Sequence, residues 1–369
     1  MDEELRYKIA TTMFKGVSPM LINSLIEHTG SLESFFRGKK LDLNKISSLN
    51  EFRPCVIDTE DALMKADKEI DFCLRNDIRI ISSDEPTYPY RLKQCPDAPQ
   101  ILYCKGDISF NNEKVLAMVG TRRATLYGRN ACNDIVKGLK EKGHDVVIVS
   151  GLAYGIDVAS HKAALDNDLR TIGVVAHGLN QLYPAAHKNI ARRMVEEGGA
   201  VLSDFSTLAF AEPRNFLKRN RIVAGLSDAV VVVESAHKGG SMITASLAND
   251  YDRDVLALPG KSSDKYSSGC NLLIKEQRAS LIENAEDIEY FLGWESIKEE
   301  NLQLDIPLFD INAEEKLVYE YIDKIGKTMI NDISLYTNMS ISKLSGILLS
   351  LELKNMLYSL PGNMYSTAP

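Results

Sequence analysis

Residues 214–245 read RNFLKRNRIVAGLSDAVVVVESAHKGGSMITA, and the rest of the chain sorts itself around them. The segment opens on a basic knot, Lys218-Arg219-Asn220-Arg221, just behind an aromatic, Phe216. A short helical run, 222–226, leads into an apolar run, 229–233. A β-branched run without alternation is the pattern of a strand covered on both faces, as in a parallel sheet. A Gly239-Gly240-Ser241 loop follows, then a helical pattern from Met242. A glycine loop between a strand and a helix start offers backbone N–H groups and a favourable dipole to an anion. Cations, an aromatic face and an anion-accepting loop in one segment point to a phosphate-bearing ligand. Taken singly, the same pieces also describe a surface loop, a buried strand and an ordinary turn.

On either side, strands and helices alternate. Strands are expected over 115–119, 145–150, 171–175, 200–203 and 254–258. Helices are expected over 130–142, from the GLAYGID turn to about 167, and over 188–197. This alternation predicts an α/β fold over 106–293: a Rossmann-like, doubly wound, mostly parallel sheet with helices on both faces. Ligands of such sheets sit beyond the carboxyl ends of the strands. The turns 120–123, 151–155 and 239–241 and a loop over 204–221 all lie at such ends, so they should converge on one crevice.

The outer parts differ. Residues 1–105 read as a small helical domain plus connector, with short amphipathic helices over 3–14, 18–28 and 32–36. Glycine turns punctuate them, a pattern resembling helix-hairpin-helix or SAM-like modules; a helical interaction module reads the same way. A further helix over 62–76 and a short strand over 78–81 precede YPYRLKQCPDAPQILYCKGD, 88–107, read as an extended connector. Residues 294–312 are polar and acidic, a linker. Over 313–369, three helices and a hairpin, with its turn at Pro361-Gly362-Asn363, describe a winged helix. Its third helix, 340–355, carries only Lys343 and Lys354 as cations, opposed by Glu352. A surface so poor in charge suits a protein contact better than a DNA groove.

The chain has 369 residues, 44% hydrophobic and 25% charged, which suits an ordinary globular protein of two or three domains. The longest apolar runs fall short of a membrane span, and the N-terminus MDEELRYK lacks a signal peptide's apolar core. The 6 cysteines are scattered without CxxC, as free thiols in a reducing cytosol are, so neither a disulfide frame nor a metal site is expected. A net charge of -8 weighs mildly against nucleic acid as a partner, although a local basic patch can override it.

Gly120-Thr121-Arg122-Arg123 is the next constellation. The glycine permits close backbone approach, Thr121 offers a hydroxyl and an N–H, and the arginines can fork onto phosphate. There is neither GxGxxG nor a P-loop GK[ST], so no nucleotide cofactor is expected. Asp157 and His161 lie four apart on one helical face. They are either a carboxylate orienting a general base or a structural hydrogen bond. Phe216 beside Lys218, Arg219 and Arg221 forms a stacking-plus-charge set, or else a core anchor for its loop.

These residues resemble the DNA-processing protein A family (DprA, also called Smf). The matching stretches are VLAMVGTRRAT followed by YG, VSGLAYGIDVASHKAAL, GVVAHGLNQLYP, VLSDF, FLKRNRIVAGLSDAVVVVE, GGSMITASLA, DVLALPG and SGCNLLI. Asp204 stands where glutamate is more common and Leu217 where proline is usual; His177 is atypical, and Cys270 replaces a common threonine. The resemblance implies a cytosolic bacterial protein without catalysis. It would bind single-stranded DNA, form a homodimer through the Rossmann-like domain, and help load the RecA recombinase during natural transformation. Carried over by motif, the DNA contacts are Gly120, Thr121, Arg122, Phe216, Arg219, Asn220, Arg221, Gly240 and Ser241; charge adds Arg123 and Lys218. The rival reading is a nucleotide-processing hydrolase on a related Rossmann-like fold, with Asp157 or Glu234 as acid or base.

Overall fold

The structure, a computed structural model, describes residues 3–14, 26–27, 30–37, 58–112, 114–294, 312–354, 356–360 and 364–367. The turn expected at 16–19, most of the helix expected over 18–28, most of the linker and the turn at Pro361-Gly362-Asn363 lie outside the described residues. The chain divides into two compact units, Met1–Glu295 and Ser296–Pro369.

The first unit is organised by a nine-stranded sheet. Its strands are β1 (Ile78–Ser82), β2 (Ile101–Lys105), β3 (Val115–Gly120), β4 (Val147–Ser150), β5 (Thr171–Val174), β6 (Ala200–Ser203), β7 (Ala229–Glu234), β8 (Asp254–Ala257) and β9 (Ser280–Leu281). The spatial order is β1-β2-β6-β5-β4-β3-β7-β8-β9. From β3 to β9 the pairings are parallel. β2 joins β6 antiparallel, and β1 joins β2 antiparallel. The stretch 88–107 is therefore not an extended connector. It folds as a short helix, Tyr90–Lys93, and then β2. Its apolar ILYC run is long enough to serve as a strand that caps one side of the parallel array.

Side-chain alternation divides the core. Val115, Ala117 and Val119 of β3 face one layer, with Ile222, Val223, Ala245 and Leu273. Leu116 and Met118 face the other, with Ile135, Val136, Ile156 and Ile288. Because each strand is covered twice, its residues are apolar throughout, which is why the strand pattern shows no polar alternation. The helices, in chain order, are α1 (Glu3–Thr12), α2 (Leu32–Arg37), α3 (Thr59–Arg75), α4 (Tyr90–Lys93), α5 (Leu126–Glu141), α6 (Ile156–Asp166), α7 (Lys188–Glu196), α8 (Pro213–Leu226), α9 (Gly240–Asp250), α10 (Ser268–Lys275) and α11 (Ala285–Leu292). α1, α2 and α3 form a separate cluster, where Ile9, Phe35, Phe36 and Ala66 meet Ile78, Ile101 and Tyr103 of the antiparallel edge.

The second unit contains α12 (Ala313–Ile325), β10 (Lys327–Met329), α13 (Ile330–Thr337), α14 (Ile341–Leu353), β11 (Leu357–Leu360) and β12 (Met364–Thr367). The strands pair antiparallel in the order β10-β12-β11. β10 is absent from the sequence expectation because its three residues are too few to carry a period. Asn312 and Glu315 form a capping box at the start of α12. Val318, Ile322, Leu344, Leu348 and Leu351 fill the core.

Candidate functional site

Strand order reverses at β3, whose neighbours are β4 on one side and β7 on the other. At such a reversal the loops leave in opposite directions and a crevice opens beyond the strand ends. A cleft of about 290 Å3 lies there. Its walls include Gly120, Thr121 and Arg122 after β3, Gly151 and Ala153 after β4, and Gly239, Gly240 and Ser241 after β7. Phe216, Leu217, Arg219 and Asn220 of α8 close it. The three glycine turns thus converge, together with α8.

Glu234, at the end of β7, builds the β3 side. Its carbonyl accepts from Thr121 N at 2.7 Å. Its carboxylate accepts from Thr125 N at 2.9 Å and from Thr125 Oγ1 at 2.5 Å. Gly128 leaves room for this carboxylate, since a Cβ there would lie 2.3 Å from Glu234 Oε2 and push it from its place. The Thr121 carbonyl accepts from Ile156 N, and Gly155, at φ +83, passes where a Cβ would sit 2.1 Å from that same oxygen. This interlock corrects one expectation: the Thr121 N–H is engaged by Glu234 and not offered to a ligand. The Arg122 and Arg123 side chains remain exposed. Arg122 lies over the Phe216 ring, 5.0 Å from its centroid. Tyr183 meets the same ring edge-on at 5.8 Å.

The largest correction concerns residues 204–221, expected as a loop. From Pro213 onward they are α8, with proline in the first turn where its missing N–H costs nothing. A helix distributes the basic knot over its faces. Phe216, Arg219, Asn220 and Val223 share the side that lines the cleft. Lys218 points to solvent. Arg221 turns away and pairs with Asp204 while donating to the Asp97 carbonyl. Lys218 and Arg221 are therefore not on the cleft wall, and Arg123 lines a neighbouring groove instead.

Arg219, an expected DNA contact, is only 4% exposed. Its Nη1 donates to the Val174 carbonyl at 2.7 Å, and its Nε has no partner among the described residues. Burial lowers its pKa, which the nearby Asp157 partly offsets. Burial likewise raises the pKa of Asp157 against the pull of Arg219 and of the Ala153 N–H. Gly151 makes room for this arginine, since a Cβ there would lie 1.8 Å from Nη1. On the far side, Gly239, Gly240 and Ser241 bring the start of α9 to the cleft, where the first N–H groups of a helix lack intrahelical acceptors, although Met242 N already donates to the Gly239 carbonyl at 3.1 Å. Ser241 Oγ donates to Ser235 Oγ at 2.8 Å, and Asn220 Nδ2 reaches the Gly240 carbonyl at 3.4 Å.

The Asp157–His161 dyad does not form. Asp157 accepts from Ala153 N, whereas His161 Nδ1 meets Thr171 Oγ1 at 2.7 Å. The Thr171 hydroxyl donates to the Ile148 carbonyl, so it accepts from the imidazole, which carries its proton on Nδ1. His161 is wholly buried, so it cannot reach a substrate. Leu217, Val223 and Thr244 also line the cleft, although none of them is among the expected contacts. They are ordinary helix residues, and only the packing of α8 and α9 brings them there.

Comparison with known proteins agrees with this architecture. The profile of the DNA recombination-mediator protein A family matches residues 79–293. The DNA processing protein DprA of Bacillus subtilis is 38% identical over 231 residues, 62% of this chain and 75% of the relative. Protein Smf of Synechocystis is 31% identical over 325 residues, 86% of this chain and 77% of the relative. The structure of DprA from Streptococcus pneumoniae superposes with a TM-score of 0.62 at 30% identity, covering 77% of this chain and 97% of that one. DprA from Helicobacter pylori, described for its single-stranded DNA binding mode, gives 0.52 at 29% identity, covering 59% and 96%. The chain belongs to the DNA recombination-mediator protein A family.

Proposed function

We propose that the chain binds single-stranded DNA in the cleft at the β3–β7 reversal and acts as a recombination mediator, not as an enzyme. The observation that carries this reading is the meeting of Arg122, the half-buried Phe216 ring and the start of α9 around one opening. Arg122 and the α9 amides suit a phosphate, and Phe216 offers a face to a base. A stacking ring serves an unpaired base, so a flexible single strand fits better than a duplex. The Helicobacter relative, described for single-strand binding, supports the same reading. The hydrolase alternative is weakened because both Glu234 oxygens hold Thr125 and Asp157 faces Arg219.

The wider role follows the family: a cytosolic bacterial protein, acting as a homodimer, that protects incoming DNA and hands it to RecA. The second unit supports a winged-helix reading, with three helices beside a three-stranded sheet among the described residues. Its α14 exposes Ile341, Leu349 and Leu353, while Lys343 and Lys354 pair with Glu314 and Glu315. That surface suits a protein partner. Titrating labelled single-stranded DNA against the parent chain and Arg122→Ala tests the cleft; equal affinities would return Arg122 to an ordinary surface role.

A further inference from the structure

A second groove, of about 370 Å3, opens between the turn after β3, the start of α5 and the outer face of α6. Arg122 and Arg123 stand on one side of it, Arg129 on α5, and Lys162 on α6. Tyr154, from the turn before α6, lies along the same groove. Arg122 borders both this groove and the cleft, so the two openings are neighbours.

None of these four cations makes an ion pair among the described residues. The one acid lining the groove, Asp166, pairs with Arg193 on α7. Arg129 Nη1 donates to the Ala124 carbonyl at 2.7 Å, which fixes its guanidinium at the groove wall. Tyr154 is about half exposed, and its ring is braced edge-on by His187 at 4.9 Å. His187 is in turn held by the Leu152 carbonyl at 2.8 Å. Convergent like charges without counter-charges repel one another, and an anion relieves that repulsion. A held ring beside them matches the charge-and-stacking arrangement that tracks a single strand.

We infer that this groove carries the next nucleotides of the strand seated in the cleft. Arg122 holds the phosphate between the two sites, Arg123, Arg129 and Lys162 hold those that follow, and Tyr154 stacks on a base. The inference rests on the reading of the cleft as a single-strand site. It extends that site to Arg129, Tyr154 and Lys162, which line the groove and not the cleft.

Oligodeoxythymidylates of about six and about twenty nucleotides, labelled and kept at trace concentration, separate the two claims. The chains compared are the parent, Lys162→Glu and Arg129→Ala. Lys162 is exposed and makes no side-chain hydrogen bond or ion pair among the described residues, so its substitution should leave the fold intact. In the parent, the longer strand is expected to bind more tightly than the shorter. In both variants the shorter strand binds as in the parent, the longer loses roughly tenfold, and its log–log salt slope shrinks by about one. If the parent gains nothing with length, or if the variants keep that gain, the groove is not part of the path while the cleft reading stands. If the parent binds neither strand, the cleft reading fails and this inference fails with it.

Discussion

Arg219 is a cation removed from water, and the residues around it exist in this form because of it. Gly151 leaves its guanidinium room, the Val174 carbonyl takes one N–H, and Asp157 supplies opposite charge. Gly151→Ala should push the guanidinium out of place, because its flexible end can yield where backbone could not. The expected result is a clear loss of single-strand affinity with a smaller loss of stability, read by titration beside thermal unfolding. Unchanged affinity would mean that the guanidinium position does not matter to the ligand. Phe216→Ala should cost about 1–3 kcal/mol of binding if the ring stacks on a base. His161 gives a pH signature. Burial, with the charge of Arg219 adding to it, pushes its pKa down to about 3. In the unfolded chain it titrates near 6.5. Below that pH the unfolded state takes a proton that the folded state refuses, so stability falls as pH drops towards 3. The stability advantage of the parent over His161→Gln should shrink by about 2 kcal/mol between pH 7 and 5. Parallel stability curves in urea unfolding would contradict this.

At the scale of elements, α8 shows what the sequence discloses and what it conceals. The parallel strands are legible because a strand covered on both faces must be apolar throughout: AVVVVE at 229–234 and VLAMVG at 115–120 admit few other readings. The glycine turns are legible too, because close backbone approach leaves a residue type behind. A helix with one polar side over an open cleft leaves no such mark, and RNFLKRNR reads as a loop until Pro213 is taken as a first-turn residue. Once it is a helix, three adjacent cations acquire three roles. Lys218→Ala, on the solvent face, should change affinity by less than about 0.5 kcal/mol. Arg221→Ala should act on stability instead. It strands the Asp204 carboxylate, whose side chain is 7% exposed, and breaking such a pair costs about 3–5 kcal/mol. Urea unfolding distinguishes the two: a normal midpoint for Arg221→Ala would show that the pair is not structural. The Gly151–Arg219 fit joins residues far apart in sequence, and no local pattern announces such a contact.

At the scale of the molecule, the sheet sets where a ligand can sit, and each compact unit contributes separately. The reversal at β3 places three glycine turns and α8 around one opening. The chain as a whole is acidic, so binding must come from local arrangement and not from net charge. The second unit has its cations paired on α14 and its apolar side chains exposed. Truncation after Ile311 should therefore lower single-strand affinity by less than about tenfold, roughly 1.4 kcal/mol. A larger loss with the first unit still folded would assign DNA contacts to the second. The central claim is that the cleft holds a single strand through phosphate contacts and stacking. The direct measurement is a titration of the full chain with labelled single-stranded and duplex DNA of equal length, at two salt concentrations, with Arg122→Ala alongside. Tighter binding of the single strand is expected, with a log–log salt slope of about −0.7 per neutralised phosphate and a marked loss in Arg122→Ala. Duplex bound as tightly as single strand, with Arg122→Ala unaffected, would contradict it.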